Sequence, residues 1–206
     1  TAIGINAALY DRQKTGKGAF IDVSMLDCQI AILENAIARY LSKKEIPGPM
    51  GSRHPSIAPF EAFKTKDSYI IIAAGNDKLF SKLCDVLKIS EITNDERFNT
   101  NSLRCENMDQ LKEIFEKKLS LKTTDEWVKE MEGLKIPCGP IFNIKQAVEN
   151  PQIKERNMII KSYHKVIGEF KSAGNPIKMS TYKDEETRGD IPDLDEHREK
   201  IIKEFG

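Results

Sequence analysis

The sequence predicts a mixed α/β fold in which a small α+β module, an antiparallel sheet plus helices, occupies residues 55–145 between flanking segments 1–54 and 146–206. Three observations carry that expectation. Two short strand-like runs, residues 59–65 and 68–74, are separated by Lys66 and Asp67, a hairpin signal. Amphipathic helical runs then follow one another at about 77–87, 108–119 and 124–134. Two proline–glycine clusters, Pro47-Gly48-Pro49-Met50-Gly51 and Pro137-Cys138-Gly139-Pro140, interrupt regular structure near the module's two ends.

Taken in order, residues 2–10 place small and apolar side chains at helical spacing (Ile3, Ala7, Ala8) ahead of Gly16 and Gly18, so the first element is a close-packed helix with a glycine exit. Residues 19–25 alternate like a strand, with Ile21, Val23 and Met25 on one face. Ser24 and Asp27 have capping-box spacing. Ile30, Leu33, Ile37, Tyr40 and Leu41 then keep a helical period, which predicts one long helix up to Pro47. In the module, Asn76 is placed to cap a helix carrying Leu79, Phe80, Leu83, Val86 and Leu87. Thr123 and Glu126 form a capping-box pair for the helix at 124–134. Residues 143–150 fit a short helix stopped by Pro151, and residues 158–163 a strand. A loop at 173–176 leads into a charged stretch, 183–190, expected to be mobile. An amphipathic helix at 193–205 closes the chain, with Gly206 just after it.

Composition narrows the function class. Lys and Arg number 32 and so do Asp and Glu, so no field of one sign draws the chain to nucleic acid or to an anionic membrane. The longest apolar stretches, such as residues 69–74, are far too short to span a bilayer, and no secretory signal opens the sequence. Cys28, Cys84, Cys105 and Cys138 are scattered, with neither zinc-site nor CxxC spacing. Buried free thiols in a reducing, cytoplasmic setting are the expectation, and no metal site is expected.

Six segments, in order, resemble one family. They are residues 14–28 (Lys-Thr-Gly-Lys-Gly-Ala-Phe-Ile-Asp-Val-Ser-Met-Leu-Asp-Cys), residues 51–60 (Gly-Ser-Arg-His-Pro-Ser-Ile-Ala-Pro-Phe), residues 67–80 with Gly75-Asn76-Asp77 at their centre, residues 136–141 (Ile-Pro-Cys-Gly-Pro-Ile), residues 151–158, and residues 194–206. Together they are similar to the C-terminal half of class III (CaiB/BaiF-type) CoA transferases. Each match alone is weak; six in register are not. Asn157, Ser68 and Asp195 stand where the family has Gly, and Asn or Asp tolerates a left-handed backbone better than most residues.

The resemblance implies that segments 1–54 and 146–206 are parts of a Rossmann-like large domain that is largely missing here. It implies a nucleophilic Asp upstream of Thr1, hence no catalytic residue in this chain. The substrates would be coenzyme A as an acyl-CoA and a carboxylic acid, with no bound cofactor. Full-length members of the family form interlocked dimers, so the resemblance also implies a homo-oligomer or pairing with the missing N-terminal half.

In the implied chemistry a carboxylate attacks a thioester, so the site must desolvate a weak nucleophile and keep water off a mixed anhydride. Gly48, Gly51, Ser52, Arg53 and His54 are the candidate lid, because glycines permit close approach and open–closed movement; a plain domain linker is the alternative. His54 is either an acid–base group or, the favoured reading, a partner in a loop hydrogen bond. Arg53 either meets a substrate carboxylate or is a solvated surface residue. Asn76 and Asp77 serve as helix cap and dipole partner, with a substrate contact as the additional reading. Related acyl-CoA racemases resemble one another in carrying a Glu near this point, so Asn76-Asp77 favours the transferase branch. Arg12, Lys14 and Lys17 form a small basic cluster that either touches CoA phosphates or is solvated, and Cys138 reads as packing. A non-catalytic partner subunit or folding module is the competing function class.

Overall fold

The computed structural model describes residues 1–44 and 46–206, which divide into two compact units, Thr1–Ser52 and Arg53–Gly206. The first unit is helical. Helix α1 (Ala2–Thr15) ends on Gly16 at φ 69°, a left-handed cap whose N–H returns to the Arg12 carbonyl. Gly4 makes room for Ile21, whose Cγ2 would lie 3.3 Å from any added Cβ. The strand expected at 19–25 is absent. Those residues run as irregular chain into helix α2 (Met25–Ile32), capped by the Ser24 hydroxyl, which accepts from the Asp27 N–H. The single long helix is also corrected: the backbone turns at Leu33 and restarts as α3 (Glu34–Lys43). Its expected continuation to Pro47 crosses Glu45, which lies outside the described residues.

No described residue of this unit is buried. Ile3 is 86% exposed and Phe20 95%. Helix α2 is apolar on every side except Asp27 and Gln29, the composition of a helix enclosed by other chain.

The second unit holds the core. Strand β1 (Phe60–Lys64) pairs antiparallel with β2 (Tyr69–Ala73), as the hairpin signal predicts, with Phe63 opposite Ile70 and Glu61 opposite Ile72. Their inward faces alternate as a half-buried strand requires. A third strand, β3 (Cys138–Pro140), pairs with the other edge of β2. It lies within the cluster expected only as a turn, and Pro140 is admissible because β3 is the outer strand.

Helices α6 (Met108–Leu119) and α7 (Thr124–Gly133) pack on the sheet and α4 (Asp77–Leu87) packs on both of them, and between α4 and α6 lie a 3₁₀ turn (Ser90–Asn94) and a short helix, α5 (Asn101–Glu106). Every buried apolar residue described lies between Ala58 and Ile136. Phe115 on α6 sits 5.7 Å from Phe63 and 6.3 Å from Phe80, tying sheet to helices. The capping box of α7 is complete in both directions. Trp127 donates its indole N–H to the Leu119 carbonyl at 2.8 Å, joining α7 to α6.

Asp67 organises the hairpin end. Its Oδ1 accepts from the Thr124 N–H (2.9 Å), the Thr124 hydroxyl (3.1 Å) and the Thr65 hydroxyl (3.2 Å). These donors, the Thr124 N–H first, hold its carboxyl below the usual carboxylate range. A depressed folded value contributes stability above the unfolded carboxylate range, and that stability is lost as pH falls through the folded value. Asp67→Asn is therefore expected to flatten the curve of urea midpoint against pH below about pH 4. A curve superimposable on the parent's would show that these bonds do not depend on the charge.

Burial pushes the Cys84 thiol up to about 12, whereas Cys28 is exposed. An alkylating reagent is expected to modify Cys28 in the native protein and Cys84 only after unfolding, read by intact and peptide mass. Modification of Cys84 at the same rate as Cys28 would contradict this packing.

After the core come α8 (Ile144–Glu149), capped by Asn143 and Gln146, and α9 (Pro151–Glu155), which Pro151 begins as its first residue. Strands β4 (Ile159–His164) and β5 (Gly168–Ala173) form a separate antiparallel hairpin, of which only the first strand is expected from sequence. The charged stretch expected to be mobile instead lies along β4: the Lys161 N–H donates to the Glu186 carbonyl and the Arg188 N–H to the Lys161 carbonyl. The last helix, α10 (Arg198–Phe205), is shorter than predicted. Asn157 (φ 48°) and Asp195 (φ 68°) adopt the left-handed backbone expected of them, while Ser68 is not among the positive-φ residues. No helix among the described residues is long and apolar enough to cross a membrane.

Candidate functional site

Of the sequence candidates, Gly48, Gly51 and Ser52 lie in the first unit, and Arg53, His54, Asn76 and Asp77 in the second. Gly51 has φ 64°, a conformation that L side chains rarely adopt, which accounts for glycine there. Gly48 has open space where a Cβ would stand.

Arg53 is not a free surface cation. Its Nε donates to Glu61 Oε1 at 3.3 Å and its Nη2 pairs with Asp109. Glu61 occupies an inward position of β1 and is 3% exposed, the one buried carboxylate among the described residues. Its second oxygen takes Lys112, whose ammonium also donates to the Ala62 carbonyl at 3.0 Å. Two cations thus neutralise Glu61, as burial of a carboxylate demands. The network fastens the chain at Arg53 to β1 and α6.

His54 is half-buried. Its ring stacks on Phe60 with centroids 5.3 Å apart and planes 6° from parallel. Nδ1 accepts the Ser56 N–H at 3.2 Å, so the neutral ring carries its proton on Nε2. The His54 N–H donates to the Phe60 carbonyl at 2.9 Å. The loop hydrogen bond favoured from sequence is present, and it leaves Nε2–H as the group that a ligand could meet.

At the start of α4, Asn76 Oδ1 accepts the Leu79 N–H at 2.9 Å and caps the helix. Asp77 accepts Arg104 Nη2 at 2.7 Å. Arg104, on α5, is wholly buried: it donates Nε to the Ala58 carbonyl (2.9 Å) and Nη1 to the Phe98 carbonyl (3.0 Å), and its guanidinium lies 4.4 Å over the Phe80 ring. Asn101, one turn earlier, donates Nδ2 to the Ser56 carbonyl (2.8 Å) and accepts the Ala58 N–H on Oδ1 (3.0 Å). The loop at 54–58 and the start of α4 thus meet through α5. Ile57 reinforces the approach, since its Cγ2 would stand 2.9 Å from a Cβ on Gly75.

Sequence reading misses Asn101, Arg104, Glu61, Lys112 and Asp109. Charged and amide side chains in helical or strand runs read as solvent-facing by default, and no short-range spacing links them to residues 53–58. The basic cluster at Arg12, Lys14 and Lys17 is exposed; Lys14 Nζ lies 4.4 Å over the Tyr10 ring. Cys138 sits in β3 with its thiol pushed up by burial, against nucleophilic use. No group of three or more His, Cys, Asp or Glu placed to hold a metal ion occurs among the described residues.

Comparison with known proteins adds to this geometry. The family model described as CoA-transferase family III matches residues 1–198. The chain is 41% identical over 202 residues to an acetyl-CoA:oxalate CoA-transferase of Acetobacter aceti, covering 98% of this chain and 51% of that protein. It is 35% identical over 200 residues to a succinyl-CoA:glutarate CoA-transferase of Homo sapiens, covering 97% and 45%. A solved CaiB/BaiF family protein from Brucella suis superposes with a TM-score of 0.79 at 35% identity, covering 99% of this chain and 52% of that one. The chain spans about half the length of the relatives it matches.

Proposed function

We propose that this chain, which belongs to CoA-transferase family III, shapes and covers the site at which CoA passes from an acyl-CoA to a carboxylic acid, while the nucleophilic carboxylate comes from outside it. The observation that carries the reading is the state of Glu61. A carboxylate nucleophile must be desolvated yet uncommitted, and the one buried carboxylate among the described residues is held by both Arg53 and Lys112. In the reaction a carboxylate oxygen of an Asp bonds to the thioester carbon as the carbon–sulfur bond breaks. CoA thiolate leaves with the electron pair, and an aspartyl-acyl anhydride remains. The contribution of this chain is to exclude water and to offer donors to the reacting carbonyl, with His54 Nε2–H the candidate. Gly48 and Gly51 give their own unit's end of the candidate lid its backbone freedom, and Arg53 is fixed to Glu61 within the second unit.

The uncovered apolar surface of the first unit supports a pairing of this chain, with a complementary half in the same or another polypeptide, or with a second copy. Racemase chemistry needs a free base beside the α-carbon; Asn76 is an amide whose Oδ1 caps α4, and Asp77 Oδ1 is paired with Arg104, which favours transfer.

The test incubates the purified chain with acetyl-CoA or succinyl-CoA and with oxalate or glutarate, alone and co-expressed with the unmatched half of the Acetobacter aceti enzyme. Exchange of CoA between acids is expected only in the pair, and it should fall with His54→Ala. Exchange by the chain alone would place the nucleophile within it and overturn the reading. Unchanged kcat and KM in His54→Ala and Arg53→Ala would remove both residues from the site.

A further inference from the structure

We propose that α5 is a clamp on this site, with Asn101 and Arg104 as positioning residues that set the conformation of the 54–58 loop and join it to the start of α4. The proposal rests on the reading of that loop as cover of the transfer site, but its geometry stands by itself. Three backbone polar groups flanking Ile57 have α5 side chains as partners: the Ser56 carbonyl and Ala58 N–H on Asn101, and the Ala58 carbonyl on Arg104. The amide of Asn101 satisfies both groups in one orientation only, since Nδ2 must donate and Oδ1 must accept. Arg104 then reaches Asp77 with another nitrogen of the same planar guanidinium, so the loop and α4 are indexed to one rigid fork.

The clamp has a chemical output. Ser56, gripped at its carbonyl by Asn101, presents its own N–H to His54 Nδ1, and that bond selects the Nε2–H tautomer. Phe60 fixes the plane of the ring. Asn101 therefore acts through Ser56 on which imidazole nitrogen is the donor, without touching a substrate itself. A helix serving packing alone would have no reason to fix a tautomer two contacts away.

The test uses the chain as it stands. Long-range ¹H–¹⁵N correlation of the imidazole is expected to show His54 as the Nε2–H tautomer in the parent protein. Asn101→Asp keeps an acceptor for the Ala58 N–H but cannot donate to the Ser56 carbonyl. It should convert His54 to a tautomer mixture while leaving Ala58 protected from hydrogen exchange. Asn101→Ala should also speed exchange of the Ala58 amide roughly tenfold, as loss of one buried hydrogen bond implies. Asn101→Gln, longer by one methylene, should not restore the signature. If both Asn101→Asp and Asn101→Ala leave the tautomer and the Ala58 exchange rate at parental values, the clamp is wrong. If the signature moves while kcat and KM of the co-expressed pair stay flat, the clamp stands and the transfer-site reading of His54 falls.

Discussion

Replacing Arg104 by alanine is expected to destabilise the second unit by about 3–5 kcal/mol, seen as a lower urea midpoint at unchanged slope. The guanidinium is fully buried, so its desolvation cost is real. Two hydrogen bonds to backbone carbonyls, the hydrogen-bonded ion pair with Asp77 and the Phe80 ring face offset it. Asp77 stays largely in water and loses little when its partner goes. The buried carbonyl of Ala58 and that of Phe98 lose their donors, at roughly 1–3 kcal/mol for each buried group left unsatisfied, and a cavity opens beside Phe80. Buried ion pairs elsewhere can often be exchanged for apolar residues without loss. That route is closed here, because methionine fills the space but donates nothing to either carbonyl. Arg104→Met is therefore expected to recover only part of the loss. Parental stability in Arg104→Met would mean that the two carbonyls are satisfied without Arg104.

Phe115→Ala is the second large effect, again about 3–5 kcal/mol. The ring is fully buried and touches Phe63 on β1 and Phe80 on α4, so its removal empties the point where sheet and helices converge. Neighbours on two separate elements, β1 and α4, cannot collapse into the void together, which places the cost toward the upper end. Phe115→Leu should lose much less. The pair separates lost volume from lost aromatic contact: equal losses in both variants would point to ring–ring geometry.

Where elements agree with the sequence, a local signal and a long-range partner act together. Residues 108–119 form a helix with the predicted bounds because their apolar period faces the sheet. Asn76 and Thr123 cap the helices assigned to them, since capping needs only neighbours three residues away. The expected strand at 19–25 has the alternation but no paired edge, and a strand without a partner leaves its backbone groups unsatisfied. Strand β3 shows the converse: Cys138-Gly139-Pro140 has poor strand chemistry and becomes a strand because β2 offers it an edge. At the site, the loop at 51–58 and Asn76-Asp77 are visible in the sequence. Their connection through Asn101 and Arg104 spans more than forty residues, and local pattern carries no trace of it.

The position of β3 also dictates an order of events at the ribosome. Strands β1 and β2 leave it almost together, but the partner of Ile72 on the far side is Cys138. At roughly 5–20 residues per second, the outer edge of β2 waits several seconds for its partner to be made. Through that interval Ile70, Ile71 and Ile72 form an open apolar edge, the kind of template that recruits chaperones or neighbouring nascent chains. Slow codons between β2 and position 138 would lengthen the wait and lower the soluble yield.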